Sequence, residues 1–139
     1  MRPLLLVAEG DAELREAYRE ALARHSYNVE TAADGLECLE KLRLLMPEVL
    51  VLDRDLRWGG GDGVLAWLRE QCALARAAVV LTATVDVPEH VHPPVVKLLP
   101  KPFTLAALLE SVGAAVAESK REEQFYLNRT APCSELFIG

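Results

Sequence analysis

Four short apolar runs, spaced through the chain, constrain its fold more than any other feature of the sequence. They lie at Leu4–Ala8, Val49–Leu52, Val79–Leu81 and, more weakly, Val95–Leu99. Each is short and consists mainly of Leu and β-branched residues, which is typical of a strand buried on both faces. A fifth segment, Tyr27–Ala32, alternates apolar and polar residues, as a strand at the edge of a sheet does.

Stretches with the helical spacing of apolar residues separate these runs. We expect helices to begin after Asp11, near Asp34, after Asp62-Gly63 and after Thr104, and Pro47 to end the second of them. Strand and helix therefore alternate about five times along the chain. Because parallel strands need crossover connections, this pattern predicts a doubly wound α/β fold, with helices on both faces of a parallel sheet.

Length and charge narrow the class of protein. A chain of 139 residues is long enough for one ordinary globular domain. Its net charge of -6 argues against a nucleic-acid-binding face, which needs clustered Lys and Arg, so we expect proteins or small ligands as partners and no nucleic acid. Since no apolar run approaches the roughly 20 residues of a membrane span and the start lacks a signal-peptide pattern, we expect no membrane association and a cytoplasmic location.

In the stretch VLVLDRD, a predicted buried strand is followed directly by the carboxylate of Asp53. In doubly wound sheets, ligands bind outside the carboxyl ends of the strands, near the point where the strand order reverses. Three other strand ends also carry polar residues: Glu9 and Asp11 follow the first, Thr82 follows the fourth and Lys101 follows the fifth. The sequence therefore predicts a site around Asp53.

Five segments, in this order and spacing, resemble the receiver domain of bacterial two-component response regulators. They are LLLVAEGDAELREAY, YNVETAADGLECLEKLRLLMPEVLVLD, a DG pair followed by an amphipathic helix, VVLTAT, and LLPKPFTLAALLESV. The resemblance implies a flavodoxin-like, five-stranded parallel sheet with strand order 2-1-3-4-5. We assign residues 1–118 to a receiver domain and residues 119–139 to a C-terminal tail, which is a helix extension, a linker, or a segment that docks on the domain or on a second copy in a homodimer.

The resemblance also implies a chemistry. Asp53 is the phosphoacceptor, receiving a phosphoryl group from a phosphohistidine on a sensor histidine kinase or phosphotransfer protein, and the domain then signals to a downstream protein partner. Thr82 and Lys101 match the hydroxyl and ammonium that hold the phosphoryl oxygens. Mg²⁺ is the implied cofactor, with Glu9, Asp53 and the backbone carbonyl of Asp55 as its ligands. Such a domain is not an enzyme, beyond catalysing the phosphorylation and dephosphorylation of its own aspartate.

Some positions depart from the family pattern at the site. Gly10 stands where the family has a second acidic residue that binds the metal directly. We therefore expect a weakened Mg²⁺ site, which Asp11 restores only if the local turn is rearranged. The loop WGGGDG after Arg57 looks about two residues longer than usual, so we expect it to be mobile and exposed, with Trp58 folding over the site as the alternative.

Other departures concern signalling to a partner. Leu98 replaces the aromatic residue that commonly responds to phosphorylation. Pro88, Pro93 and Pro94 predict that the fourth helix of the family is short or lost.

The matches to the receiver pattern and the departures from it leave two functions open. In the first, the chain is an atypical phosphoacceptor with a weak Mg²⁺ site, which Asp53, Thr82 and Lys101 favour. In the second, it is a degenerate pseudo-receiver that binds a protein partner without phosphorylation, which Gly10, the remodelled loop after Asp53, Leu98 and the prolines favour. A third, remote alternative is a small flavodoxin-like ligand binder, but no glycine-rich phosphate loop follows the first strand.

Overall fold

A single parallel sheet forms the centre of the molecule. The computed structural model describes residues 2–71, 77–84 and 92–127, with the backbone alone for residues 124–127. The elements are β1 (Leu4–Ala8), α1 (Ala12–Arg24), β2 (Asn28–Ala32), α2 (Gly35–Leu45), β3 (Val49–Asp53), α3 (Gly60–Glu70), β4 (Ala78–Ala83), β5 (Val95–Pro100) and α4 (Leu105–Leu127). All strand pairs are parallel and the order is β2-β1-β3-β4-β5, so the predicted doubly wound fold is confirmed.

The two faces of the sheet carry two hydrophobic clusters. Alternate residues of a strand point to opposite faces, so Leu50 and Leu52 of β3 enter one cluster and Val49 and Val51 enter the other. Helices α2 and α3 cover the first face, and α1 and α4 cover the second. Strands β3 and β4 are buried along their whole length. The edge strand β2 instead alternates exposed and half-buried residues before the buried Ala32, as its alternating sequence predicts.

Polar side chains begin three of the four helices at the predicted places. Asp11 Oδ1 accepts hydrogen bonds from the backbone N–H groups of Glu13 and Leu14, at 2.9 and 3.1 Å. Asp34 Oδ1 likewise accepts from the N–H of Glu37 at 2.9 Å, and Thr104 Oγ1 from that of Ala107 at 3.0 Å. Each bond satisfies a donor that the first turn of a helix leaves without a partner.

Helix α3 begins earlier than the sequence predicts. It starts at Gly60 rather than after Asp62-Gly63, so part of the glycine loop forms its first turn. Gly59 and Gly60 have φ angles of 93° and 65°, which glycine adopts at no steric cost, and the Gly61 N–H donates to the Arg54 carbonyl at 3.0 Å. The chain therefore turns sharply between β3 and α3 with backbone hydrogen bonds that the sequence pattern did not reveal.

The connection between β4 and β5 is described only in part. The described residues between β4 and β5 contain no helix. Residues 85–91 lie outside the description, so the predicted effect of Pro88 on the fourth helix stays a prediction. Helix α4 continues without a break past residue 118 to Leu127. Residues 128–139 also lie outside the described ranges, so the division of the chain into domain and tail stays a prediction. In the described part, none of the helices has the length and apolar character to cross a membrane.

Candidate functional site

The fold brings the predicted polar residues to one edge of the sheet. Asp53 is the last residue of β3, and Thr82 is its register partner on β4. Glu9 directly follows β1, and Lys101 directly follows β5. The carboxyl ends of parallel strands meet at the same edge, so these four side chains, although far apart in sequence, share one small region. Glu9, Asp53 and Thr82 are buried there.

Lys101 bridges the two buried carboxylates. Its Nζ atom lies 2.6 Å from Glu9 Oε1 and 3.5 Å from Asp53 Oδ2. The backbone N–H of Lys101 donates to the Ala83 carbonyl at 2.8 Å, which continues the pairing of β4 with β5 and fixes where the side chain starts. The Lys101 backbone is therefore anchored to β4, and its side-chain ammonium is anchored to the two carboxylates.

Burial and charge shift the pKa values of this pair. Burial raises the pKa of Glu9 above its ordinary value, an effect that the hydrogen bond from Lys101 reduces but does not cancel. Burial by itself lowers the pKa of Lys101, but the hydrogen bond to Glu9 and the charges of Glu9 and Asp53 outweigh it, so this pKa lies above its ordinary value. Two buried carboxylates thus face one ammonium, and the site favours additional positive charge.

The turn after β1 is held by several hydrogen bonds. Glu9 Oε2 accepts from the Asp11 backbone N–H at 3.0 Å, while the Asp11 carboxylate caps α1. The guanidinium of Arg15 donates from Nη1 to the Glu9 carbonyl at 2.8 Å. Sequence reasoning missed Arg15, which lies six residues beyond Glu9 in an otherwise ordinary helical pattern. The Asp11 carboxylate is therefore engaged as a helix cap, and its recruitment to a metal stays a prediction that requires this turn to rearrange.

A second hydrogen-bonded turn follows Asp53. The Asp55 backbone N–H donates to Asp53 Oδ1 at 3.0 Å, and Thr84 Oγ1 donates to Asp55 Oδ2 at 3.2 Å. Asp53 therefore has one oxygen held by its own turn and the other directed toward Lys101. Thr84 was not among the predicted site residues, and only its position two residues after Thr82 could have indicated it.

Position 10 has room for the carboxylate that it lacks. A Cβ atom added to Gly10 would meet only the Ala33 carbonyl oxygen, at 3.9 Å, which is an ordinary contact distance. Across the described residues, no group of three or more His, Cys, Asp or Glu side chains is placed to hold a metal ion. The carboxylates of Glu9 and Asp53 and the backbone carbonyl of Asp55 are oxygen donors of the kind that Mg²⁺ binds.

The loop after β3 does not cover the site. Trp58 is 68 % exposed, so the alternative in which its ring folds over Asp53 is wrong. The Gly35 N–H donates to the Arg57 carbonyl at 2.8 Å, which joins this loop to the start of α2. Leu98, where the family commonly has an aromatic residue, packs against the core cluster on the α2 and α3 face.

An apolar groove of about 490 Å³ opens beside Lys101, between α1 and the start of α4. The rings of Tyr18 and Phe103 stack in it, with centroids 5.3 Å apart. The residues that line it are Leu14, Ala17, Tyr18, Thr84, Lys101, Pro102, Phe103 and Leu105. The candidate site therefore has a polar centre next to an apolar surface that another molecule can contact.

Known proteins share this arrangement of elements. The profile of the response regulator receiver domain family matches residues 5–113, a range that contains Glu9, Asp53, Thr82 and Lys101. The chain belongs to this receiver domain family. Receiver domains are the signal-receiving units of two-component systems, and they are generally not enzymes.

Relatives of this receiver domain include two response regulators named MprA. The protein from Mycobacterium ulcerans (strain Agy99) is 31 % identical over 131 residues, which covers 86 % of this chain and 52 % of the relative. The protein from Mycobacterium tuberculosis (strain ATCC 25177 / H37Ra) is 30 % identical over 131 residues, with 86 % and 53 % covered. The receiver chain thus spans about half the length of the curated relatives that it matches.

Solved structures show the same receiver fold. The signal receiver domain of a putative Luxo repressor protein from Vibrio parahaemolyticus superposes with a TM-score of 0.76 at 19 % identity, covering 90 % of this chain and 98 % of that one. The response regulator StyR superposes with a TM-score of 0.79 at 25 % identity, covering 91 % and 65 %.

Proposed function

We propose that this receiver domain accepts a phosphoryl group on Asp53, from a phosphohistidine on a sensor histidine kinase or phosphotransfer protein. One carboxylate oxygen of Asp53 attacks phosphorus and forms the O–P bond, and the P–N bond to the imidazole breaks. The imidazole nitrogen keeps the electron pair of that bond and takes up a proton. Beyond this transfer and the hydrolysis of the aspartyl phosphate, in which water releases inorganic phosphate and restores the carboxylate, we propose no enzymatic activity for the chain.

The observation that carries the proposal is the placement of Asp53 within reach of Lys101. The carboxylate is buried at the end of a central strand, and its Oδ2 lies 3.5 Å from the Lys101 ammonium. Phosphoryl transfer spreads negative charge over three oxygens, so a fixed cation beside the acceptor stabilises the transition state. Thr82, the register partner of Asp53, is the hydroxyl that can donate to one of those oxygens.

A divalent cation is part of the proposal, with a weak affinity. Mg²⁺ would neutralise charge on the phosphoryl oxygens, and Glu9, Asp53 and the carbonyl of Asp55 are the residues that would hold it. The raised pKa of Glu9 supports this assignment, because a carboxylate that is costly to ionise gains from a cation beside it. The missing acid at Gly10, with Asp11 committed to its helix cap, is the reason for the weak affinity.

A second candidate function has its own support. Lys101 donates to Glu9 at 2.6 Å, much closer than its distance to Asp53, so the ammonium satisfies the acid that would otherwise bind the metal. A receiver domain in that state needs no metal to be stable. The second candidate is therefore a pseudo-receiver that binds a downstream protein through its surface without phosphorylation.

The partners of the chain follow from its surface and its length. The groove beside Lys101 is apolar and adjoins the phosphoacceptor, so we propose that a protein partner, rather than free phosphate alone, occupies it during transfer. The expectation of no nucleic-acid partner rests on the net charge of -6 and applies to this chain only. This expectation does not extend to the curated relatives, which are about twice as long as the matched region. One structural neighbour is the receiver domain of a protein named as a putative repressor.

The test is the mass of the intact protein after incubation with acetyl phosphate, with and without Mg²⁺. We expect a gain of one phosphoryl group that requires Mg²⁺ and that the Asp53→Asn variant does not show. Asp55→Asn is a matched control, because it removes an exposed carboxylate two residues away and keeps the acceptor. If the wild-type chain gains no mass at any Mg²⁺ concentration and the Gly10→Asp variant does, the pseudo-receiver candidate is the correct one.

A further inference from the structure

One surface of the molecule is unusually apolar. Seven large apolar side chains are exposed in the described part of the chain, and four of them lie on α2 or at its C-terminal end. A fifth, Trp58, lies on the loop whose backbone contacts the start of α2. The exposed fractions reach 62 % for Leu36, 72 % for Leu44 and 56 % for Met46. Single exposed leucines are common on protein surfaces, but a contiguous group marks an interaction site. We call the group formed by Leu36, Leu44, Leu45, Met46 and Trp58 the α2 patch.

Trp58 belongs to the α2 patch because the loop that carries it is attached to the helix. The hydrogen bond from the Gly35 N–H to the Arg57 carbonyl joins the two segments at the start of α2. Trp58 itself has a φ of 61°, a conformation that bulky residues rarely adopt. The backbone therefore holds a large, exposed aromatic residue next to the start of α2, at a cost that a purely solvated role does not explain.

We propose that the α2 patch binds a second copy of this chain, with the two α2 helices antiparallel about a twofold axis at Glu40. Residues 36, 40 and 44 are all exposed and lie four residues apart, so they form one stripe along the helix. With the axis at Glu40, Leu36 of each copy packs on Leu44 of the other. The same operation places Trp58 of each copy near Met46 of the other.

Charge makes a second copy a better occupant than an acidic or basic partner. The exposed side chains between Leu36 and Leu44 include Glu40 and Arg43, which carry one negative and one positive charge. The patch is thus close to neutral on a chain with a net charge of -6. The axis places the two Glu40 side chains together, but it also places Arg43 of each copy opposite Glu37 of the other, so two attractive pairs flank one repulsive pair. An isologous interface needs a patch that is complementary to itself in this way.

The size of the patch sets the expected affinity. The α2 patch lies along a single helix of 11 residues, so we expect it to bury less than the roughly 800 Å² per partner of a standard interface. We therefore expect a weak dimer, with a Kd on the order of 10–100 µM. Sedimentation velocity of the full chain from about 5 µM to about 500 µM should show the monomer converting to a dimer over this range. A monomer at every concentration would overturn the proposal.

Matched substitutions test whether the α2 patch is the surface involved. The Leu36→Lys/Leu44→Lys variant places like charges opposite each other across the axis and should remain monomeric. The Leu14→Lys/Leu105→Lys variant carries the same changes at two exposed leucines elsewhere and should dimerise like the wild type. Circular dichroism confirms that each variant is folded. If the two variants dimerise equally, the α2 patch is not the interface. A dimer formed through residues 128–139 would give that result.

Disulfide cross-linking tests the antiparallel geometry. In a Cys72→Ser/Cys133→Ser background, which leaves only the buried Cys38, the Glu40→Cys variant should form a covalent dimer under mild oxidation because residue 40 lies on the axis. The Leu36→Cys variant should not, since its two copies would lie about 12 Å apart along the helices. Combining Leu36→Cys with Leu44→Cys should restore cross-linking. Efficient cross-linking through Leu36→Cys alone would show a parallel pairing and overturn the proposed geometry.

Discussion

The carbonyl oxygen of Trp58 occupies the space that a Cβ atom at Gly35 would need. This contact joins the loop after the phosphoacceptor strand to the first turn of α2, and it involves backbone atoms that cannot rotate away. A glycine at position 35 is therefore required by a close approach between two segments, not by the turn itself.

Substitution of Gly35 should be costly for that reason. We expect Gly35→Ala to lower the free energy of unfolding by about 2 kcal/mol, because backbone must move to relieve the overlap. Urea unfolding followed by circular dichroism measures it. Gly63→Ala is the matched control: a Cβ atom there meets nothing within 4 Å, and the residue lies within α3, so we expect a gain of about 0.5–1 kcal/mol. A Gly35→Ala variant as stable as the wild type would contradict the contact.

Removal of the bridging ammonium should destabilise the fold. Lys101→Met leaves the buried carboxylates of Glu9 and Asp53 without their common cation, and we expect a loss of about 3 kcal/mol of unfolding free energy. Adding Asp53→Asn removes one of the two charges and should recover at least about 1 kcal/mol in a double-mutant cycle. Lys97→Met, the same change at an exposed position of β5, should stay within about 0.5 kcal/mol of the wild type.

The free energy of unfolding should fall at alkaline pH, in part because of Cys38. Burial raises the pKa of this thiol from 9.0 to about 12, so the native state keeps its proton after the unfolded state has lost it. The stabilisation from this group is complete below pH 9 and is lost as the pH rises toward 12. Lys101 and Tyr18 also have raised pKa values, so their contributions have the same sign.

The thiol itself provides the measurement. In the Cys72→Ser/Cys133→Ser background, Cys38 should react with a thiol reagent at pH 8 only as fast as the protein opens, and urea should accelerate the reaction strongly. Rapid labelling of the native protein at this pH, at a rate independent of urea, would show that Cys38 is neither buried nor protonated as described.

Restoring the missing acid should strengthen metal binding. Gly10→Asp adds a carboxylate where the backbone leaves room, and we expect a Mg²⁺ affinity higher by roughly 10- to 100-fold. A Mg²⁺ titration followed by tryptophan fluorescence, with calorimetry as a check, gives the two dissociation constants. Gly113→Asp adds the same charge on α4, where a Cβ atom meets nothing within 4 Å, and should leave the affinity unchanged. Equal affinities for wild type and Gly10→Asp would mean that the weak-site explanation is wrong.

The elements and their order could be predicted from the sequence, because each element depends on residues close together in the chain. Short apolar runs specified the strands, and the caps at Asp11, Asp34 and Thr104 act on N–H groups two or three residues away. The strand ends also determined which residues would gather at the site, since parallel strands place their carboxyl ends together. Helix α3 begins at glycines, without a hydrogen bond from a capping side chain, and the local sequence pattern predicted its first residue incorrectly.

The pairing of the gathered side chains could not be predicted from the sequence and depends on the packing of the whole domain. The bond from Lys101 to Glu9 joins residues 92 positions apart, and nothing in either neighbourhood indicates that the ammonium prefers Glu9 to Asp53. The exposure of Trp58 and the requirement for Gly35 likewise depend on where two distant segments pass each other. Local hydrogen bonds and apolar periodicity can be read along the chain, whereas distances between side chains on different strands follow from the packing of the whole sheet.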